Sequence, residues 1–362
     1  MTAAERTTGM INKCKPAPFS KGVNLTNWLE YRKAEDIRPD TFTIQDFRNI
    51  RSLGCDVVWL PIHFERFCAP ENQYAIPDSV LAILDRAVSW AEETGLFLIL
   101  DFHNATHVDS FTSRDVENIL IPVWTQLASR YCKSSEKVVY EIMNEPHGIE
   151  IPVWNEIILR VHRLIRSIDR NHYVVVGGAD WNSTAGMKAL PGFQDDRILY
   201  TFHFYDPHTF THQGAPWCHM ERVTGIPFPY DENKMPPLPD HPTEIEKRCF
   251  ETYPLQGTLQ AVTQYFDHYA EFSLARNAPL VCGEYGCNAF SVDKGQRVNW
   301  YRIVAGLLDE RGIARISWDY YGPFGLFDLD WNRRMPPRKM FPPRFPEDLN
   351  QELLKALKLN CG

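Results

Sequence analysis

The strongest constraint on the fold is a regular alternation along the chain. Short apolar runs rich in β-branched residues alternate with longer amphipathic segments, a pattern typical of βα units around a parallel sheet. Eight runs predict strands, at residues 22–26, 56–62, 96–102, 138–143, 173–178, 198–205, 279–285 and 313–320. Helical patterns lie at 43–53, 78–94, 114–132, 152–168, 257–276, 295–311 and 347–358, with a weak one at 183–190.

Eight βα units favour an α/β protein of the (β/α)8 TIM-barrel class, with an open doubly wound sheet as the alternative. The length of 362 residues suits one barrel with insertions. The Pro-rich segment 206–256 predicts a long irregular loop after the sixth strand. We therefore expect an N-terminal extension at 1–19 and a single barrel domain at 20–362.

The charge and composition of the chain limit which kinds of partner it can bind. The formal net charge is -8 and no block of Lys and Arg occurs, which argues against nucleic acid or an anionic membrane as a partner. The 13% aromatic content, with ten Trp, favours a groove lined by rings. No apolar run is long enough for a signal sequence or a membrane span, so we expect a cytoplasmic protein, or a secreted protein whose signal peptide has been removed. The sequence carries no signal of an oligomer, so we expect a monomer.

The cysteine pattern favours free thiols over disulfide bridges. Nine are spread along the chain without CxxC pairs, and an odd number leaves at least one outside any intramolecular bridge. Several lie in apolar runs, which favours buried reduced thiols in a reducing compartment. A bridge between Cys218 and Cys249 within the long loop is the alternative.

Two glutamates end very apolar predicted strands. Glu145 follows the fourth run and Glu284 ends the seventh, so on an eight-stranded barrel they face one another across the mouth. Hydrolysis of a glycosidic bond needs two such carboxyls, one to protonate the leaving oxygen and one to attack or to position water. The pair therefore predicts a glycosidase, whereas either glutamate alone would be read as a polar strand end.

The strand ends together carry a family resemblance. In chain order they read GVNL, DFH, NEP, HFY, GEYG and SW, and six motifs in this order resemble glycoside hydrolase family 5, the cellulase family of retaining glycosidases, from about residue 20 to 358. The resemblance implies a (β/α)8 catalytic domain that needs no cofactor and acts on a β-linked oligo- or polysaccharide. Its first expectation is a retaining endo-β-1,4-glucanase; a β-mannanase or another β-glucan hydrolase is the alternative.

The resemblance also implies roles for the two glutamates and their neighbours. Glu145 would be the general acid/base and Glu284 the nucleophile, so we expect a raised pKa for Glu145 and an ionised Glu284. The matching substrate-binding or orienting residues are Asn144, His103, His203, Tyr205 and Trp318. Among them, Tyr205 would donate a hydrogen bond to Glu284, and Trp318 would lie under the sugar that is attacked. Further sugar platforms are predicted at Trp28, Trp181 and Trp331.

One position departs from the family pattern. The second strand of the family ordinarily ends in a segment with an arginine beside the nucleophile, and GCDVVWLP has Trp59 in that position. An indole removes a positive charge and offers at most one N–H donor. We expect either a weakened enzyme or a site reshaped by Trp59 in which other donors suffice.

Two other functions compete with hydrolysis. His203, His208, His212, Cys218 and His219 lie close together in the sequence, but their irregular spacing argues against a metal site. The second alternative is a carbohydrate-binding barrel with little or no catalytic activity, and the Trp59 departure is the observation that favours it. Because both glutamates are present, catalysis is the favoured interpretation.

Overall fold

The eight predicted strands form one closed parallel barrel. The computed structural model describes residues 13–103, 115–328 and 343–361, and each strand pairs with its neighbours in the order β1 to β8, with β8 closing onto β1. The strands are β1 Lys21–Asn24, β2 Val57–Ile62, β3 Phe97–Phe102, β4 Val138–Glu141, β5 Tyr173–Gly177, β6 Ile198–Phe204, β7 Leu280–Tyr285 and β8 Ala314–Ser317. The predicted barrel is confirmed, and the open-sheet alternative is excluded.

Helices surround the barrel and connect its strands. Those of the described residues are α1 Ile44–Ser52, α2 Phe64–Phe67, α3 Asp78–Thr94, α4 Asp115–Tyr131, α5 Ile151–Ile168, α6 Ala179–Asn182, α7 Thr184–Lys188, α8 His208–Thr211, α9 Glu244–Gln256, α10 Leu259–Arg276, α11 Lys294–Arg311 and α12 Gln351–Ala356. Each long predicted helix is present within a few residues of its expected ends. No helix among them is both long and apolar enough to cross a membrane.

The barrel interior is a packed apolar core, separate from the larger core between strands and helices. Alternate residues of the strands point inward, as the two-residue period of a strand requires. The inner cluster comprises Phe19, Val57, Trp59, Ile99, Val139, Val175, Leu199, Val281, Ala314 and Ile316. Burial of each large aliphatic side chain contributes about 1.5–3 kcal/mol, so this layer holds the strand ends in fixed positions.

The last part of the predicted N-terminal extension packs against the barrel. Phe19 is buried in the inner cluster and its ring contacts Phe97 at 5.5 Å. Cys14 is buried too, and its amide donates to the Arg311 carbonyl at 2.8 Å. Phe19 therefore lies at the amino-terminal end of the barrel, opposite the carboxyl ends of the strands.

The long connection after β6 is more ordered than the sequence predicted. Its first residues form α8, and its last part forms the 13-residue helix α9. Thr243 caps α9 through a capping box with Glu246, in which each side chain accepts a hydrogen bond from the other's backbone N–H. The prediction of a long irregular loop was wrong for its last part, because the Pro-rich residues before Thr243 hid the start of this helix.

All nine cysteines are free thiols in the structure. The alternative bridge between Cys218 and Cys249 is not formed, and both side chains are half-buried.

Candidate active site

The two predicted carboxyls meet at the carboxyl ends of the strands, with a histidine between them. Glu145 lies four residues beyond β4, and Glu284 lies in β7 opposite His203 of β6. The Nδ1 atom of His203 is 2.6 Å from Glu145 Oε1 and 3.6 Å from Glu284 Oε2. One ligating atom of each of the three side chains lies within 4.8 Å of the others. Sequence reasoning paired the two glutamates correctly in space.

Tyr205 donates its hydroxyl hydrogen bond to Glu284, as the resemblance implied. The Oη atom is 2.7 Å from Glu284 Oε2, and the tyrosine ring is fixed between His212 and Phe324 at 5.3 and 6.0 Å. The other oxygen, Glu284 Oε1, is buried and accepts no hydrogen bond from any residue that the structure describes. Tyr205 is therefore the main donor that favours an ionised Glu284.

Trp59 fills the barrel interior beneath Glu284. It is fully buried on β2, in register with Asn24 of β1 and Ile99 of β3. The indole ring lies so close to Gly283 that a β-carbon there would come within 2.5 Å of it. The indole Nε1 has no acceptor within the described parts of the chain. Trp59 therefore supports the β7 backbone but does not replace the charge of an arginine.

The pKa order of the two glutamates is the reverse of the expected one. Burial raises the pKa of Glu284, and the negative charge of Glu145 adds to the rise. Burial also opposes ionisation of Glu145, but the charge of His203 and its hydrogen bond outweigh it and lower the pKa of Glu145. The expectation of a raised pKa for Glu145 was wrong for this site because His203 lies closer to Glu145 than to Glu284.

A second histidine lies on the other side of the site, beside a tryptophan. His103 follows β3, and its Nδ1 is 2.7 Å from Oδ2 of the fully buried Asp101. Burial disfavours the charged ring, but the charge and hydrogen bond of Asp101 raise the pKa of His103 to about 10. The His103 ring stacks on Trp318 at 5.7 Å and 15°. The two predicted sugar contacts therefore form one continuous wall.

Asn144 and Glu145 are presented by an unusual turn after β4. The Asn144 amide donates to the Phe102 carbonyl at 2.9 Å, which joins the turn to β3. The Asn144 side chain is buried, and its Oδ1 accepts no hydrogen bond from the residues described. Glu145 has a φ of 39°, a region that residues other than glycine rarely adopt. Such strained positions cluster at functional sites.

Trp181 is displayed on the surface next to this turn. It is 46% exposed, and its ring stacks on His147 at 3.6 Å and 7°. His147 is itself fixed through Nδ1 to the Glu145 carbonyl at 2.8 Å. Asp180, Trp181 and Asn182 all have left-handed φ values of 54–59°. An exposed ring on a rigid support suits a sugar platform.

Trp28 does not belong to the site. It is fully buried, stacked on Trp90 at 6.1 Å and packed edge-on against Phe42 at 5.5 Å. Its prediction as a sugar platform was wrong, since contacts with distant segments bury its ring. The prediction for Trp331 falls outside the described residues.

The histidine-rich stretch splits between two environments. His203 faces the glutamates, whereas His208 at the start of α8 stacks on His212, the residue that follows α8, at 4.0 Å. Burial lowers the pKa of His212, and the neighbouring His208 adds to this fall, which favours a neutral His212 ring.

Two buried acids next to the site were missed from the sequence. Glu141 is in register with Asp101, and the two buried carboxyls are hydrogen-bond partners, which requires a proton on one of them. Burial and the charge of Asp101 raise the pKa of Glu141 well above its ordinary value. Asp319 accepts from Thr26 Oγ1 at 2.6 Å, and burial raises the pKa of Asp319 to about 7. A charged residue at an inward position of a barrel strand is the signal that could have found Glu141.

Comparisons with known proteins identify the family of the chain. The sequence model described as Cellulase (glycosyl hydrolase family 5) matches residues 20–322. Endoglucanase C of Acetivibrio thermocellus is 28% identical over 318 residues, which span 83% of this chain and 91% of that protein. Cellodextrinase A of Ruminococcus flavefaciens is 25% identical over 306 residues, which span 82% of this chain and 83% of that protein.

Solved structures share the fold. An endoglucanase from the hyperthermophilic Thermotoga maritima superposes with a TM-score of 0.75 at 23% identity, covering 93% of this chain and 96% of the other. A further structure of a Thermotoga maritima enzyme, described as a complex with mannotriose substrate, gives a TM-score of 0.74 at 23% identity, covering 94% of this chain and 97% of the other. Since the sequence model matches most of the chain, the protein is a glycoside hydrolase that belongs to the cellulase family, glycosyl hydrolase family 5.

Proposed function

We propose that the protein is a retaining endo-β-1,4-glucanase in which Glu145 is the general acid/base and Glu284 the nucleophile. The observation that carries the proposal is the approach of the two carboxyls, whose nearest oxygens lie within 4.8 Å of one another. Retaining glycosidases hold their carboxyls about 5–5.5 Å apart, whereas inverting enzymes leave about 6.5–9.5 Å for a water molecule.

Glu145 can act as the general acid only when it carries a proton while Glu284 is ionised. His203 can supply it, since its Nδ1 is 2.6 Å from Glu145 Oε1. Burial disfavours the charged ring, but the charges of Glu284 and Glu145 raise the pKa of His203. Transfer of the Nδ1 proton to Glu145 would leave a neutral imidazole beside a protonated acid and an ionised nucleophile. This transfer reconciles the low pKa of Glu145 in the free enzyme with its role as the acid.

The first half-reaction forms a glycosyl-enzyme. Glu284 attacks the anomeric carbon while the leaving oxygen takes the proton of Glu145, so a bond to Glu284 replaces the glycosidic bond. In the second half, Glu145 takes a proton from water, and the resulting hydroxide displaces Glu284 and frees the sugar. Tyr205 donates to Glu284 wherever the carboxyl carries negative charge.

The residues that surround the two glutamates bind the sugar in this proposal. We assign Asn144 and His103 to the hydroxyls of the sugar that is attacked, and Trp318 to its apolar face. Trp181 would carry a sugar on the leaving-group side, since its ring rests on His147, next to the acid Glu145.

The named relatives favour β-glucan as substrate, and the mannotriose complex of the Thermotoga maritima enzyme makes β-mannan the second candidate. Trp59 supports a lower rate than that of an enzyme with arginine, because the only cationic group recorded within 4 Å of Glu284 in the described chain is His203.

A substrate screen tests the proposal. The protein should release oligosaccharides of mixed length from carboxymethylcellulose or mixed-linkage glucan, with β-mannan and xylan in parallel and Glu284→Gln as the inactive control. A 2-deoxy-2-fluoro-cellobioside with a good leaving group should leave a covalent adduct on Glu284, detected by peptide mass spectrometry. Absence of both hydrolysis and adduct would overturn the proposal and support the carbohydrate-binding alternative.

A further inference from the structure

A second cluster of ligating side chains lies beside the site, formed by Glu30, His63 and His103. One carboxylate oxygen and one ring nitrogen of each histidine lie within 4.8 Å of one another. The two imidazole rings face each other at 5.7 Å with an angle of 27°. This cluster shares only His103 with the contacts assigned above to the sugar.

The backbone holds the three residues in one row across neighbouring strand ends. The His63 amide donates to the Leu29 carbonyl at 3.0 Å, which fixes His63 next to Glu30. The His103 amide donates to the Ile62 carbonyl at 2.9 Å, which fixes His103 next to His63. The positions of the ligating groups therefore follow from the barrel and do not depend on a flexible loop.

The surrounding hydrogen bonds orient the ligands as those of a metal site do. Asp101, whose side chain is fully buried, binds Nδ1 of His103 at 2.7 Å and so directs the other nitrogen, Nε2, outward. The Glu30 carboxylate accepts a hydrogen bond from the Asn27 amide, which leaves its other oxygen for a ligand. A carboxylate behind a ligating histidine fixes the ring and raises its basicity, and this arrangement recurs at zinc sites.

We propose that Glu30, His63 and His103 bind a divalent transition-metal ion, with zinc as the best fit. Two imidazoles and one carboxylate form a common three-ligand set for zinc, whereas calcium and magnesium prefer oxygen ligands alone. Bonds of about 2.0–2.2 Å require ligand atoms about 3.4 Å apart, so each pair of ligand atoms closes by at most about 1.4 Å on binding.

A bound ion would compete with the sugar. The His103 ring stacks on Trp318 at 5.7 Å, so an ion on His103 would occupy the space next to the platform assigned to the attacked sugar. We therefore expect zinc to be a reversible inhibitor that raises KM. This second part rests on the proposed function, whereas binding of the ion does not.

Binding is tested on the whole protein after treatment with a chelator. Calorimetric titration with zinc chloride should show one site, and cobalt(II) should give a visible absorption band. His63→Ala and Glu30→Gln should each weaken zinc binding at least tenfold, while His268→Ala, which removes an exposed histidine of α10, should not. Equal affinity in all four proteins, or no binding to the wild type, would overturn the site. Two separate ligand variants keep the test open if one of them fails to fold.

Inhibition is measured separately on β-glucan. Zinc should raise the KM of the wild type and of His268→Ala, and it should have at least tenfold less effect on His63→Ala. Zinc binding that the ligand variants abolish, in a protein without hydrolase activity, would refute the proposed function and leave the metal site standing. Binding without any change in KM would refute competition with the sugar.

Discussion

Replacement of Tyr205 by phenylalanine removes the main hydrogen-bond donor of the proposed nucleophile. The hydroxyl lies 2.7 Å from Glu284 Oε2, while His203 is 3.6 Å away and Glu284 Oε1 has no donor in the described chain. Phenylalanine keeps the ring that packs on His212 and Phe324. The change therefore isolates one hydrogen bond to a buried carboxylate.

The magnitude follows from the charge of the acceptor. A hydrogen bond to a charged group contributes about 1.5–3 kcal/mol, which corresponds to a fall in kcat/KM of about 10- to 150-fold. The same bond stabilises the ionised form of Glu284, so its loss raises the pKa of Glu284 further. Since the ionised carboxyl is the nucleophile, activity is lost as pH falls through this pKa. The acid limb of the variant should therefore move to higher pH.

The assay is kcat/KM against pH for an aryl β-cellobioside with a good leaving group, whose departure needs little help from Glu145. Tyr265→Phe is the matched control, since Tyr265 of α10 packs on Phe204 of β6 at 6.0 Å and lies outside the proposed site. An unchanged acid limb, with kcat/KM within twofold of the wild type, would refute the account of Glu284.

Three further predictions concern other parts of the site. Trp59→Arg should increase the rate of β-glucan hydrolysis at least tenfold and move the acid limb of the pH profile to lower pH, because a cation stabilises ionised Glu284. If the variant shows a cooperative melting transition but no gain in rate, the weakening assigned to Trp59 is contradicted. Glu141→Gln should change kcat less than about threefold, since the amide resembles the protonated acid. The folded-state pKa of Glu141 is raised, so the wild type loses stability as pH rises above the unfolded-state pKa of a glutamate. The melting temperature of Glu141→Gln should therefore fall less than that of the wild type between about pH 5 and 7. Equal dependence of the two melting temperatures on pH would argue against a protonated Glu141. Trp181→Ala should raise KM for long oligosaccharides about three- to tenfold, the equivalent of about 0.7–1.4 kcal/mol, and should affect aryl cellobiosides less; equal effects on both would argue against a platform on the leaving-group side.

The barrel and its pair of glutamates were predictable because their signals are local. Each strand is a short apolar run, and parallel strands bring their carboxyl ends to one rim, so Glu145 and Glu284 needed only the right strand order. The burial of Trp28 was not predictable, because its partners Phe42 and Trp90 come from separate segments. A groove tryptophan and a core tryptophan look alike in sequence.

The protonation order of the site depends on finer geometry. It depends on a difference of one ångström, because His203 Nδ1 lies 2.6 Å from Glu145 and 3.6 Å from Glu284. No pattern of residue types encodes a difference of that size. The same holds for Glu141, whose environment depends on the register between β3 and β4.

The contact between Trp59 and Gly283 also restricts how this protein can change. With the indole in place, any side chain at position 283 would collide with it and with the Thr201 hydroxyl, at 2.5 and 2.7 Å from the new β-carbon. Positions 59, 201 and 283 are therefore epistatic: a substitution at 283 becomes acceptable only after smaller or differently shaped residues replace Trp59 and Thr201. A directed-evolution library aimed at the nucleophile should randomise 59, 201 and 283 together, since single-site searches at 283 would sample only misfolded or inactive variants.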